Sequence, residues 1–263
     1  MVAISDPVAE RLLQAGDAHL ADMLDWNDGQ QLRARLRRRA FWCTFAGWLL
    51  ITSAAIVGSF VSWTFTQNVH AMFDESGLME GTSLPFLTTV LPPTMVALTC
   101  FLIFGGLYAW SAGVFPGFST TQRAIDWANT SDAVSRLLSV GCTYCEAFRT
   151  AARIANTRSS RDWLLNAAAR VEQGGSEVAD QTHASGDLAI VELLVQSSQA
   201  EPKLRWQIAK DHFFEVAQQR LALLLTTTPI FSTLAAGLII WMSISATLGW
   251  MWSAAIKAIG GMT

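Results

Sequence analysis

Residues 41–67 read FWCTFAGWLLITSAAIVGSFVSWTFTQ and contain no Asp, Glu, Lys or Arg. Two other stretches, 81–122 and 221–256, are equally free of these residues. An apolar helix needs about 20 residues to cross the roughly 30 Å hydrocarbon core of a membrane, so each stretch is long enough. The whole chain is 51% hydrophobic and only 15% charged, and the three stretches account for that balance. The sequence therefore predicts three membrane-spanning helices.

The predicted fold class is all-α, an integral membrane protein with three transmembrane helices and a cytoplasmic helical bundle. The first apolar stretch begins at residue 41 and is longer than the apolar core of a signal peptide, so we expect it to be retained. The predicted segments are a cytoplasmic N-terminal segment with an amphipathic helix at 1–40, transmembrane helices at 41–65, 89–112 and 221–250, a short external loop at 66–88, the helical bundle at 113–220 and an external tail at 251–263.

The distribution of basic residues predicts the orientation in the membrane. Five arginines lie directly before the first span, at positions 33, 35, 37, 38 and 39, and eleven basic residues lie in the segment 123–220. The loop 68–80 has no Lys or Arg, and the C-terminal tail has only Lys257. Loops rich in Lys and Arg stay in the cytoplasm. We therefore expect a multi-pass membrane protein with its N-terminus in the cytoplasm and its C-terminus outside.

Prolines, glycines and caps predict where the helices begin and end. An amphipathic helix is expected over 6–24, and the second span should begin near Pro93 because proline interrupts helix hydrogen bonding. The first helix of the bundle is expected either as one helix or as two that break near 129–131. Ser159 is the expected cap of a later helix that stops at Gly174 and Gly175. Further helices are expected over 176–183 and 188–199, and the last helix should run unbroken into the third span.

Two features together resemble the type II secretion F domain. Gly174-Gly175 is followed by Ser176-Glu177-Val178-Ala179, and a long final helix enters a span that contains Pro229. The resemblance covers about 142–250. The chain departs from the family in having one copy of the helical domain, and its residues 196–203 read QSSQAEPK where members tend to have a Gly-Glu-x-x-Gly-like turn.

The resemblance implies a non-enzymatic scaffold of a type II secretion or type IV pilus-like machine, located in the bacterial inner membrane. Such a scaffold couples a cytoplasmic secretion ATPase to pilin-like subunits, and it works with other inner-membrane platform proteins or as a homo-oligomer. The alternative is a membrane subunit of a transporter or signalling complex whose helical domain docks a soluble partner. No catalytic, metal-binding or cofactor-binding residues are predicted, because no known motif for these activities is present in the sequence.

The candidate docking residues are arginines of the helical bundle, which suit an acidic partner surface. They are Arg149, Arg153, Arg158, Arg161 and Arg170. Arginines that only solvate the surface remain the alternative. The arginines before the first span are expected to face the lipid bilayer, and nucleic-acid binding is not expected. Cys142 and Cys145 form a single C-x-x-C, and packing is favoured over a redox or zinc role because no second ligand pair lies nearby.

Overall fold

The computed structural model describes residues 6–15, 20–76, 86–112, 115, 117–174 and 201–260. Over these residues the chain is helical and contains no strand, which confirms the all-α prediction. The helices are α1 Pro7–Gln14, α2 Leu20–Ser76, α3 Phe86–Ser111, α4 Phe118–Ser139, α5 Tyr144–Ile154, α6 Arg158–Glu172 and α7 Pro202–Gly260.

Three of these helices are long and apolar enough to cross a membrane. The qualifying parts are Leu20–Asn68 in α2, Val90–Ser111 in α3 and Lys203–Ser245 in α7, with hydropathies of 1.8, 1.9 and 1.8. The prediction of three spans is thus confirmed by length and composition, and the last helix is unbroken as expected. The helix start expected near Pro93 is wrong, because α3 begins at Phe86 and keeps Pro92 and Pro93 inside the helix, whereas its apolar part Val90–Ser111 agrees closely with the predicted span 89–112. Proline removes single hydrogen bonds from a span without ending it.

The chain divides into two compact units. Unit 1 contains Met1–Phe41 and Pro116–Leu223, and unit 2 contains Trp42–Phe115 and Leu224–Thr263. The helical unit therefore includes the N-terminal segment, whereas the sequence analysis assigned the bundle to 113–220 alone.

The N-terminal segment contributes side chains to the core of unit 1. Asp6 caps α1 by accepting a hydrogen bond from the Val8 backbone at 3.0 Å and another from Trp26 Nε1 at 2.8 Å. Val8 and Trp26 are buried as a result. The single helix expected over 6–24 is wrong, because α1 ends at Gln14 and Leu24 belongs to α2, where it is exposed.

Helix α4 lies at the centre of unit 1 and runs antiparallel to its neighbours on α2 and α7. Gln30 of α2 meets Asn129 at 2.8 Å, and Phe41 meets Phe118 nearer the start of α4. On α7, Lys203 and Arg220 likewise reach opposite ends of α4, at Ser135 and Thr120.

The break considered near 129–131 does not occur, and α4 is one helix. Two of the three polar residues there, Asn129 and Thr130, find partners within the continuous helix. Thr130 donates its hydroxyl to the Asp126 carbonyl at 3.0 Å, and the Asn129 side chain bonds Gln30. The Thr130 bond is the back-bonding to the carbonyl four residues earlier that hydroxyl residues make inside helices.

Aromatic contacts in the core of unit 1 join four helices. Trp127 of α4 lies 5.5 Å from Trp163 of α6 and 6.0 Å from Phe213 of α7, measured between ring centroids. Phe148 of α5 lies 5.6 Å from Trp206 of α7. Such pairs stabilise a core by about 0.5–1.5 kcal/mol each beyond the burial of their area.

Local capping sets the ends of α5 and α6. Thr143 and Glu146 form a reciprocal capping box at the start of α5. The predicted cap at Ser159 is wrong, because α6 begins at Arg158 with Thr157 as its cap residue. Helix α6 ends at Glu172, and Gly174 adopts φ 78°, so the predicted stop at the glycines is confirmed. The helices expected over 176–183 and 188–199 lie outside the described residues.

Unit 2 is held by close approaches between its helices. Trp48 of α2 donates from Nε1 to the Leu102 carbonyl of α3 at 3.0 Å. A Cβ added to Gly47 would lie 2.7 Å from Thr228 of α7, so the helix backbone needs a glycine there. Large apolar side chains such as Phe101 remain exposed on the outside of the helices, where a lipid environment would cover them.

Candidate partner-docking site

A buried aspartate on the central helix of unit 1 meets cations from three helices. Asp132 lies 2.9 Å from Arg33 of α2, 2.9 Å from Arg136 of α4 and 3.7 Å from Lys210 of α7. The Asp132 side chain is only 4% exposed, and that of Arg33 only 7%. We call Asp132, Arg33, Arg136 and Lys210 the ionic hub.

The ionic hub corrects one expectation from the sequence. Arg33 was grouped with the arginines expected to face lipid, but its guanidinium is buried in unit 1 against Asp132 and lies over the Trp26 ring at 5.1 Å. Burial lowers the pKa of Arg33, although Asp132 favours its charge. The charge is therefore held at a desolvation cost that the nearby carboxylate offsets only in part.

Arg136 extends the ionic hub toward the surface. It donates to the Asp22 carbonyl at 2.7 Å and is paired with the Asp25 carboxylate, which is 74% exposed. Burial opposes its charge, but the hydrogen bonds with Asp25 and Asp132 outweigh burial and raise the pKa of Arg136. The same bond lowers the pKa of Asp25.

A second buried aspartate fixes α6 to α4. Asp126 is fully buried and accepts hydrogen bonds from the backbone amides of Asn156 and Thr157, both at 2.9 Å. The hydroxyls of Thr157 and Ser160 also donate to it. Because the Thr157 side chain makes no cap bond to its own helix, Asp126 supplies the negative charge at the start of α6 from another helix. The connection between α5 and α6 is thereby held in place.

The five candidate docking arginines are divided by the structure into engaged and open side chains. Arg149 lies 2.7 Å from Glu172, and Arg161 donates to the Ala155 carbonyl at 2.9 Å. Arg170 is half-buried near the end of α6. These three side chains already have intrachain contacts or restricted access.

Arg153 and Arg158 are the open members of the set. Arg153 is exposed in the last turn of α5, and Arg158 is 94% exposed at the first position of α6. Arg158 has Asp162 at 3.7 Å, and a pair as exposed as this one contributes little. The two arginines flank the connection that Asp126 holds, so they lie on a rigid part of unit 1. We call Arg153 and Arg158 the docking pair.

The two cysteines of the C-x-x-C lie beside carboxylates. Cys145 donates from Sγ to Glu172 at 3.2 Å. Burial is the largest and this hydrogen bond the next largest of the effects that raise the pKa of the Cys145 thiol. Burial and the charge of Glu146 also raise the pKa of Cys142. Because both pKa values are raised, this environment disfavours the thiolate, which is the reactive form of a cysteine.

The sequence analysis missed Asp132 and Asp126, and a pattern in α4 could have found the first of them. Asp132 stands four residues before Arg136, a spacing that pairs on a helix. Within the described ranges, no group of three or more His, Cys, Asp or Glu side chains could hold a metal ion. Comparisons with protein-family models, with curated proteins and with solved structures found no match to this chain.

Proposed function

We propose that this chain is a non-enzymatic membrane scaffold of a type II secretion or type IV pilus-like machine. In this proposal, unit 1 docks a cytoplasmic secretion ATPase, and the spans hold the complex in the bacterial inner membrane next to pilin-like subunits. The observation that carries the scaffold role is the ionic hub. The type of machine rests on the resemblance of the 142–250 segment.

The ionic hub suits a scaffold because of the helices that it joins. Arg33 and Lys210 belong to α2 and α7, the same two helices that continue as apolar spans. Asp132 therefore ties both span-bearing helices to α4 inside unit 1. Removing one member of a buried ion pair costs about 3–5 kcal/mol because the other charge stays buried without its partner, so the pairing favours the arrangement in which the three helices meet at Asp132. A unit with this property keeps its shape when a partner binds.

The docking pair gives unit 1 a surface for an acidic partner. Arg153 and Arg158 carry two positive charges on either side of a connection fixed by Asp126. Arginine is favoured where carboxylates must be recognised with defined geometry, because its planar guanidinium can bond both oxygens. A partner surface with paired Asp or Glu side chains would fit these positions.

The proposal is tested by purifying the tagged full chain in mild detergent from its native cells and identifying bound proteins by mass spectrometry. Recovery of a secretion ATPase with pilin-like proteins is expected. Recovery of transporter or signalling subunits in their place would overturn the secretion role and favour the alternative.

Charge reversal then tests the docking pair. Arg153→Glu with Arg158→Glu is expected to lower the recovered ATPase at least tenfold. The matched control is Arg11→Glu with Lys203→Glu, which reverses two exposed cations elsewhere in unit 1. Equal recovery of the ATPase from both variants would reject a role of the docking pair in ATPase binding. The scaffold role is tested separately, by the proteins recovered with the unaltered chain.

A further inference from the structure

We propose that unit 1 carries a binding site for the phosphate groups of anionic lipids, formed by arginines of α2 and α4. The residues are Arg35, Arg38 and Arg39 on α2 and Arg123 on α4, and we call them the arginine patch. The inference depends on the chain being a membrane protein and not on the secretion role.

The first observation is the position of arginine along the chain. Arg39 is the last charged residue before the charge-free stretch 41–67, and Arg123 is the first one after 81–122. Arg220 is likewise the last charged residue before 221–256. Each of the three apolar stretches therefore has an arginine at the end that joins unit 1.

The second observation is that the structure brings these three chain positions together. A buried cluster in unit 1 contains Ala40, Ala124 and Leu221, which are the immediate neighbours of Arg39, Arg123 and Arg220. The Arg220 guanidinium donates from Nη1 to the Thr120 carbonyl at 3.0 Å. The Phe41 and Phe118 rings meet edge to face with centroids 6.3 Å apart. The beginnings of two spans and the start of α4 thus share one edge of unit 1.

The antiparallel register of α2 and α4 places the arginine patch on that edge. Gln30 meets Asn129 and Phe41 meets Phe118, so the residues of α4 between these contacts run past α2 in reverse order. Arg123 consequently lies level with Leu36 of α2, within one turn of the arginines at 35, 38 and 39. Arg38 and Arg39 follow Arg35 by three and four residues, so both lie near it on the helix surface.

The arginine patch is exposed and has no acidic residue within its segments. All four of its side chains are exposed, in contrast to Arg33, which is buried against Asp132. The segments 34–41, 117–124 and 216–223 contain six arginines and no Asp or Glu. Glu215, which directly precedes the last segment, already bonds Gln219 at 3.3 Å. These segments therefore contain no carboxylate that could neutralise the positive charge of the patch.

A lipid phosphate fits this surface better than a protein or a nucleic acid. The patch directly adjoins helices that are apolar enough to cross a membrane, so lipid headgroups are the anions that lie at the required depth. Guanidinium groups bond phosphate oxygens in pairs, and long arginine side chains reach the headgroup layer while their stems lie along apolar surface. Arginines from two helices can hold one phosphate from two sides.

The test measures lipid binding to the purified full chain in detergent, by native mass spectrometry with phosphatidylglycerol and with phosphatidylcholine. The patch variant carries Arg38→Gln, Arg39→Gln and Arg123→Gln. The control variant carries Arg11→Gln, Arg161→Gln and Lys203→Gln, which removes the same charge from exposed cations elsewhere in unit 1. Amide-exchange protection of α4 checks that both variants are folded.

The patch variant is expected to bind phosphatidylglycerol about 100-fold more weakly than the unaltered chain, since each basic residue at a membrane surface contributes about fivefold, or about 1 kcal/mol. The control variant should change less than about threefold. Replacement of the same three patch residues by lysine should restore most of the affinity, because the charge is retained.

Four results would overturn the inference. The first two are unchanged phosphatidylglycerol binding by the patch variant and an equal loss of phosphatidylglycerol affinity in the patch and control variants. The other two concern the unaltered chain: it would bind phosphatidylcholine as tightly as phosphatidylglycerol, or millimolar inorganic phosphate would displace the lipid completely. The last would identify a site for free phosphate. Loss of a co-purifying acidic protein from a patch variant that still binds lipid normally would assign these arginines to a protein partner.

Discussion

Replacing Asp132 by asparagine tests whether the ionic hub holds unit 1 together. Asparagine has nearly the same size as aspartate, so Asp132→Asn removes the charge and leaves the packing unchanged. Arg33, which is 7% exposed, and Arg136, which is 10% exposed, would then lack the carboxylate that they share. The Arg33 guanidinium would be the more costly of the two, because its Nε and Nη2 atoms are buried without a hydrogen-bond partner among the described residues.

The expected loss is about 3–5 kcal/mol in the free energy of unfolding of unit 1, the range found when one partner of a buried ion pair is removed. Domains are stable by only about 5–15 kcal/mol, so the loss is a large share of the total. Since 1.4 kcal/mol corresponds to a factor of ten, the population of opened unit 1 should rise by a factor of about 100 to 4,000.

Amide hydrogen exchange of α4 peptides, followed by mass spectrometry in lipid nanodiscs, measures this population in unit 1 alone. Exchange of 126–137 should accelerate by the stated factor. Asp25→Asn is the matched control, because the Asp25 side chain is 74% exposed and an exposed pair is worth at most about 1 kcal/mol. Unchanged protection in Asp132→Asn, or equal acceleration in both variants, would refute the assignment of stability to the ionic hub.

Three further predictions concern single contacts. Gly106→Ala should weaken unit 2 by about 1–3 kcal/mol through overpacking, because an added Cβ would lie 2.1 Å from the Trp48 ring nitrogen. Gly105→Ala is the control, since its added Cβ would have its nearest neighbour at 4.0 Å, and it should leave the thermal-unfolding temperature unchanged. Because the pKa of Asp25 is lowered in the folded chain, its contribution is complete above the ordinary carboxylate pKa and is lost as the pH falls through the folded value; melting temperatures of Asp25→Asn and the unaltered chain should therefore converge on acidification. Glu172→Gln should lower the pKa of the Cys145 thiol and speed its alkylation by iodoacetamide at pH 8, and an unchanged rate would show that burial alone controls that thiol.

The apolar helices could be predicted because their cause is local. A stretch of more than 20 apolar residues without charge is typical of a membrane span, and the composition of 41–67 alone predicts one without information from any other part of the chain. The end of α6 at Gly174 was similarly predictable, because a positive φ favours glycine. The start of α3 was not, since a proline inside a span depends on neighbours that the sequence does not identify.

The ionic hub could not be predicted because its cause is the pairing of distant segments. Arg33 looks like its neighbours Arg35 and Arg38 in sequence, and all three precede a span. Only the antiparallel packing of α2 on α4 turns Arg33 inward to Asp132 and leaves the others exposed. The same packing separates the candidate docking arginines, because Arg149 becomes engaged only when α6 brings Glu172 beside it.

The ionic hub also explains how helices with small side chains keep one register in unit 1. Ala124, Ala128 and Ala133 are buried along α4, and alanines present little shape to oppose sliding of one helix past another. A shift of α2 by one turn would move Arg33 about 5.4 Å along the helix axis and leave its buried charge without Asp132. We infer that the charge pairing fixes the register where the apolar packing does not. Because that register also places Arg123 within one turn of Arg38, the arginine patch is a consequence of the ionic hub, and Asp132→Asn should weaken lipid binding without removing any arginine from the surface.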